Sequence, residues 1–131
     1  MDRMGVDPRQ AVYAFEYDFD KHGGAIGTIE LTEAILEGEV CKYAYILVDE
    51  QLTSAGAAEV ALGIETTDDV LAAVVITGFT AGATIATLLD WDPANFVTAT
   101  ANQALTVTVS VADLTAGKMV IVLSKDNLLV E

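Results

Sequence analysis

The only histidine of the chain, His22, stands in the run Asp20-Lys-His-Gly-Gly24, whose glycines mark a turn. Nucleophilic catalysis needs such a base held against a hydroxyl or thiol and oriented by a third group. A turn histidine with no such frame around it is a poor general base. The only cysteine, Cys41, lies in the apolar run Val40–Val48, where a thiol packs as a small hydrophobe instead of ionising to a nucleophile. No Cys/His pair has zinc-ligand spacing, and no glycine-rich phosphate loop precedes a helix. The chain therefore reads as a non-enzyme, with no catalytic residue, no cofactor and no resident metal.

Carboxylates are the remaining chemistry. Asp18-Phe-Asp20, Asp68-Asp69 and Asp90-Trp-Asp92 could each offer oxygens to calcium, but none carries the glycine and terminal glutamate of a loop-type site. A cation bridging subunits is the form such a site would take. Trp91, between two acids, could stack on a pyranose while its neighbours take the sugar hydroxyls, or it could pin its loop onto the core. Arg3 and Arg9, in a stretch without period that contains Gly5 and Pro8, suit an N-terminal arm (1–10) that makes directional contacts on a partner surface. Arg3, Arg9 and Trp91 are the candidate partner-contact residues.

These side chains must be positioned by strands. Residues 104–112 alternate Leu105, Val107, Val109 and Val111 with Thr106, Thr108 and Ser110, the period of a half-buried strand. With Asp113–Gly117 as a turn and Lys118–Leu123 as the second arm, the segment predicts a β-hairpin. The second arm is apolar from Met119 onward, as in a strand covered on both faces by a second sheet or another subunit. Residues 11–19 place Tyr13, Phe15, Tyr17 and Phe19 on one face, a stripe that reads as core. Further strands are expected over 25–31, 40–48 (central), 57–65, 83–89 and 96–100, with an added edge from 125–131 and polar connections at 49–56 and 90–95. Residues 32–38 are a helical turn or a loop, and Thr66–Asp69 reads as the capped start of a helical turn running towards Gly78. The expected fold is all-β: an antiparallel β-sandwich, jelly-roll-like, with one or two short helical turns, as a single domain over 11–131.

Composition narrows the function. The 131 residues fit one domain, and 20 acidic against 6 basic residues give a net charge of −14. Such a surface repels nucleic acid and anionic lipid, so neither is expected as a partner, and it keeps an otherwise sticky domain soluble, in a saline setting as well. The hydrophobic fraction of 53% and mean hydropathy of +0.45 point to apolar surface hidden between copies, hence a homo-oligomer. The uncharged stretches 70–89 and 93–112 are broken by Gly, Pro, Asn and Thr and suit paired strands, not spanning helices. With one cysteine and no signal-peptide pattern at the start, synthesis in the cytoplasm is expected.

Tyr43-Ala-Tyr-Ile-Leu-Val-Asp-Glu-Gln-Leu-Thr-Ser-Ala-Gly-Ala-Ala-Glu-Val-Ala-Leu-Gly-Ile-Glu65, then Asp68-Asp-Val-Leu-Ala-Ala73 and Leu114-Thr-Ala-Gly117, resemble small virion structural proteins of tailed bacteriophages. The similarity spans about residues 25–124 and is greatest to capsid decoration proteins, the cement or knob proteins of the head. It implies a trimer on the virion exterior that contacts the major capsid protein and stabilises the shell. An acidic surface fits the outside of a head better than packaged DNA, and an arm can add to a capsid edge. The alternatives are a fibre or tail-associated phage module, and a carbohydrate- or calcium-dependent binding module built on Trp91. The resemblance carries over no site residue.

Overall fold

A computed structural model describes residues 12–124 and 126–127. The strands are β1 (Val12–Asp18), β2 (Gly27–Ile35), β3 (Glu39–Cys41), β4 (Tyr43–Ser54), β5 (Glu59–Gly63), β6 (Leu71–Val75), β7 (Thr84–Asp90), β8 (Val97–Thr98), β9 (Gln103–Ser110), β10 (Leu114–Ser124) and β11 (Asp126–Asn127). A single helical turn, α1 (Phe19–His22), follows β1, and short 3₁₀ turns cover Ile76–Gly78 and Pro93–Asn95. The N-terminal arm, with Arg3 and Arg9, lies outside the described residues.

Two four-stranded antiparallel sheets carry the core, in the orders β1-β10-β4-β7 and β2-β9-β5-β6. Among the strands of these two sheets, the first in chain order pairs with the last, the second with the seventh, the third with the sixth and the fourth with the fifth. That nesting is the strand order of a jelly roll, a long antiparallel ribbon folded over on itself. The small sheet β11-β3-β8 supplements the two larger ones. The all-β jelly-roll sandwich expected from the sequence is the fold observed.

Alternation explains the packing. Phe15 and Tyr17 of β1, Ile46 and Val48 of β4, and Met119, Ile121 and Leu123 of β10 point inward from one sheet. Val60 and Leu62 of β5 and Leu105, Val107 and Val109 of β9 meet them from the other, in one continuous core. Each fully buried Leu, Ile or Met contributes about 1.5–3 kcal/mol of transfer free energy. The hydroxyl of Tyr17 donates to Gly23 O at 2.6 Å, and burial, helped by the charge of Asp18, pushes its pKa up to about 12. Glu39 is a buried carboxylate, satisfied by the Tyr13 hydroxyl at 2.5 Å and the Leu36 N–H at 2.9 Å. Burial and this same carboxylate raise the Tyr13 pKa.

Several local expectations are corrected. Residues 104–123 are not a hairpin: β9 pairs with β2 and β5, and β10 pairs with β1 and β4, in the opposite sheet. The link is a corner, where Val111 takes φ 73°, Asp113 Oδ1 accepts the Ile26 N–H at 2.9 Å and the Leu114 N–H donates to Gly24 O at 2.7 Å. Pairing side by side would leave both apolar rows on one side of a ribbon. Facing each other across the sandwich, each row buries the other. Leu114–Gly117, expected as a turn, begins β10 and contains its irregular register, with Gly117 at φ 136° against Leu52.

The run 40–48 is split between β3 and β4, and β4 continues through the expected connection to Ser54 because Leu52 still points into the core. The stretch 32–38 belongs to strand as far as Ile35. The helical turn expected after Thr66 is absent. Asp69 turns its carboxylate back to the N–H groups of Ile64, Glu65 and Thr66, at 2.7, 2.9 and 3.2 Å, and the chain runs on as β6, paired to β5. Among the described residues the outer face of β10 is only partly covered: Val120 and Val122 are half-buried while Met119, Ile121 and Leu123 are enclosed.

Candidate functional site

The chemistry-bearing residues are held apart. His22 closes α1 with its ring stacked on Tyr17, centroids 5.8 Å apart, and Nδ1 3.1 Å from Asp18 N, so it is spent on its own turn. Cys41 is fully buried in the short β3. Among the described residues no three His, Cys, Asp or Glu side chains stand together as a metal site, and no helix is long and apolar enough to cross a membrane.

Three of the six acids weighed as cation ligands, Asp18, Asp69 and Asp92, hold turns. Asp18 accepts the Asp20 N–H at 2.9 Å at the start of α1, and Asp92 accepts the Ala94 N–H at 3.0 Å at the start of a 3₁₀ turn. Asp69 closes its own loop, as described above. Glu65, whose role the sequence did not disclose, ties the loop after β5 to Thr100 and to the first residue of β9. It accepts from Thr100 N at 3.0 Å, Thr100 Oγ1 at 2.7 Å and the Gln103 amide. The Thr100 N–H first, then Gln103 and the Thr100 hydroxyl, hold the Glu65 pKa below its usual 4.5.

A depressed carboxylate stabilises the fold above its unfolded-state pKa and loses that contribution as pH falls through the folded value. Wild type should therefore be more stable than Glu65→Gln above pH 4.5, with the gap closing below it. Urea melts of both proteins across this range check it; a gap that stays constant with pH refutes the assignment.

Trp91 is the one candidate contact that falls among the described residues. Its indole is 61% exposed at φ 72°, a backbone conformation that costs a non-glycine residue about 1–3 kcal/mol. The Trp91 N–H donates to Lys42 O at 3.0 Å, and the ring packs on Tyr43 with centroids 4.8 Å apart and planes at 32°. Tyr43 stacks in turn on Tyr45, at 6.4 Å and 7°. The loop is thus pinned, as one reading of the sequence had it, but to the outside of a sheet instead of the core.

This row of rings crosses the outer face of β1-β10-β4-β7. Tyr45 stands opposite Val122 and Ala86, and Val122 opposite Ala14; one rung on, Leu47 faces Val120 and Thr84, and Val120 faces Glu16. Tyr45 and Leu47 are 36% and 42% exposed. The middle of the face is aromatic and aliphatic and free of carboxylates. Its edges are not: Asp90 stands opposite Tyr43, Asp92 follows Trp91, Glu16 lies on the edge strand β1, and Asp49 and Glu50 lie where β4, still paired with β10, runs on beyond β7. An apolar centre with a charged margin is the anatomy of a protein-binding surface. The structure leaves Arg3 and Arg9 outside its description, so of the candidate contacts it places Trp91 alone.

No family model matches this sequence, and no curated protein matches it. Comparison of folds gives more. A chain in the capsid asymmetric unit of cyanophage Pam1 superposes with a TM-score of 0.61 at 14% identity, over 97% of this chain and 92% of that one. The chain has a fold found in phage capsids. A chain of the acid-stable capsid of Helicobacter pylori bacteriophage KHP30 gives 0.59 at 17% identity, covering 89% and 86%. One from the capsid of Ralstonia phage GP4 gives 0.58 at 22%, covering 95% and 91%. The similarity is to the whole jelly roll, at nearly full length of both partners.

Proposed function

We propose that this chain is a non-enzymatic virion structural protein that decorates and stabilises the outside of a phage capsid, as a trimer bound to the major capsid protein. The observation that carries the reading is the near-complete superposition on chains from phage capsid structures. Two physical arguments support it. A net charge of −14 is unfavourable beside packaged DNA and harmless on the exterior. The described residues also hold no base poised against a nucleophile, His22 and Cys41 being occupied in packing.

Binding that favours the assembled head over unassembled shell subunits would stabilise the shell by mass action. The test is light scattering of the purified chain together with cryo-imaging of the phage that encodes it. The expected results are a mass of three 13.8 kDa subunits and density on the outer surface of the head. A monomer without affinity for heads removes the reading, and antibody label confined to tail or fibre moves it to another part of the virion. The exposed indole of Trp91 favours one second reading, carbohydrate binding, which a glycan array with and without chelator decides. Against it, one face of that indole is already taken by Tyr43.

A further inference from the structure

We infer that the aromatic and aliphatic outer face of β1-β10-β4-β7 is the surface that docks on the capsid, and that it recognises an apolar patch rimmed by basic side chains. This rests on the capsid-binding reading above and names the part of the molecule that does the binding. The centre of the face, Trp91, Tyr43, Tyr45, Leu47, Val120 and Val122, combines stacked rings with exposed or half-buried aliphatics. Trp and Tyr anchors at the centre of a patch are the residues that carry most of the affinity in protein interfaces.

Charge selects the occupant. The margin holds Glu16, Asp49, Glu50, Asp90 and Asp92. Lys21 offsets Glu16 at 3.1 Å, and Lys118 reaches Asp49 at 4.0 Å. A second copy seated on this face in a two-fold arrangement would bring the same acidic margin against it. Any other face of a copy would draw on a chain with 20 acids and 6 bases. A partner with Lys or Arg around an apolar patch meets the centre with burial and the margin with opposite charge, which speeds encounter and fixes orientation. The occupant is therefore a different protein, and under the reading above it is the capsid shell.

The experiment uses heads of the encoding phage prepared without this protein, and compares wild type with three variants in sedimentation binding. The face variant is Trp91→Ala with Leu47→Asp, the margin variant is Asp90→Lys with Asp92→Lys, and the control is Thr28→Asp on the edge strand of the other sheet. All these positions are solvent-exposed, and equal thermal midpoints establish that each variant is folded. The expected result is a loss of roughly 100-fold for the face variant and none for the control. Wild-type binding should weaken as salt rises, and the margin variant should reduce that dependence. A face variant that binds within twofold of wild type overturns the assignment while the decoration reading stands. Loss of the oligomeric mass in the face variant also overturns it, by making the occupant a second copy. Failure of wild type to bind heads removes the decoration reading and the inference with it.

Discussion

Ile121→Ala is expected to lower the free energy of unfolding by about 2–5 kcal/mol. Ile121 is fully buried in β10, opposite Phe15 of β1 and Ile46 of β4, and all three side chains face the second sheet. Truncation removes the transfer free energy of the lost carbons and leaves a cavity that strands paired on both sides cannot collapse to fill. Against a total stability of about 5–15 kcal/mol for a domain of this kind, that is a large share. Val120→Ala, one residue away on the half-buried outer face, should cost less than half as much. Denaturant titration of the two variants measures the difference. Equal losses would mean that the outer face is as tightly enclosed as the core, which would also end the case for it as a docking surface.

Gly63→Ala should have an effect of similar size by the opposite route, overpacking. A Cβ built on Gly63 falls 1.7 Å from Thr66 O and 2.6 Å from the Thr67 carbonyl carbon, both main-chain atoms that cannot rotate away. The loop cannot simply back off. Asp69 holds the Ile64, Glu65 and Thr66 amides, and Glu65 holds Thr100, so opening the turn breaks bonds on both sides of it. Overpacking of this kind typically costs about 1–3 kcal/mol, and more where backbone must move. Gly78→Ala is the control, because nothing lies within 4 Å of its Cβ position. A thermal midpoint for Gly63→Ala equal to that of Gly78→Ala would falsify the close-packed geometry assigned to this turn.

The fold class was legible because period-two alternation in β9 and the stripe of β1 report a half-buried strand wherever it pairs. Alternation does not report the partner. Leu105–Val109 and Met119–Leu123 look like two arms of a hairpin, yet their apolar rows meet across the core from different sheets. Nor does it resolve a strand whose two faces are both apolar. Tyr43, Tyr45 and Leu47 alternate with Ala44, Ile46 and Val48, and only the second row is enclosed. For that reason the sequence did not single out the outer face of this sheet except at Trp91, a lone tryptophan between two acids. The signal that could have found it is the tyrosine pair two residues apart on a predicted strand. The Thr66–Asp69 motif misled in another way. An acid set for a helix N-terminus served equally well to close the turn behind it, since both uses need only a carboxylate near unpaired amides.

The nesting of first strand with last has a consequence for how the chain acquires its structure. β1 cannot complete its ladder until β10 has been made, and β4 waits for the same strand on its other edge. Most of the core is thus assembled from segments far apart along the chain, a topology that folds slowly, on the order of milliseconds to seconds. During synthesis the uncharged strand β6 and the apolar run of β4 emerge before β9 and β10, the strands that complete their two sheets, so until then they are open to other chains. The surplus of carboxylates then acts before there is a fold to decorate, by keeping those unfinished chains from meeting.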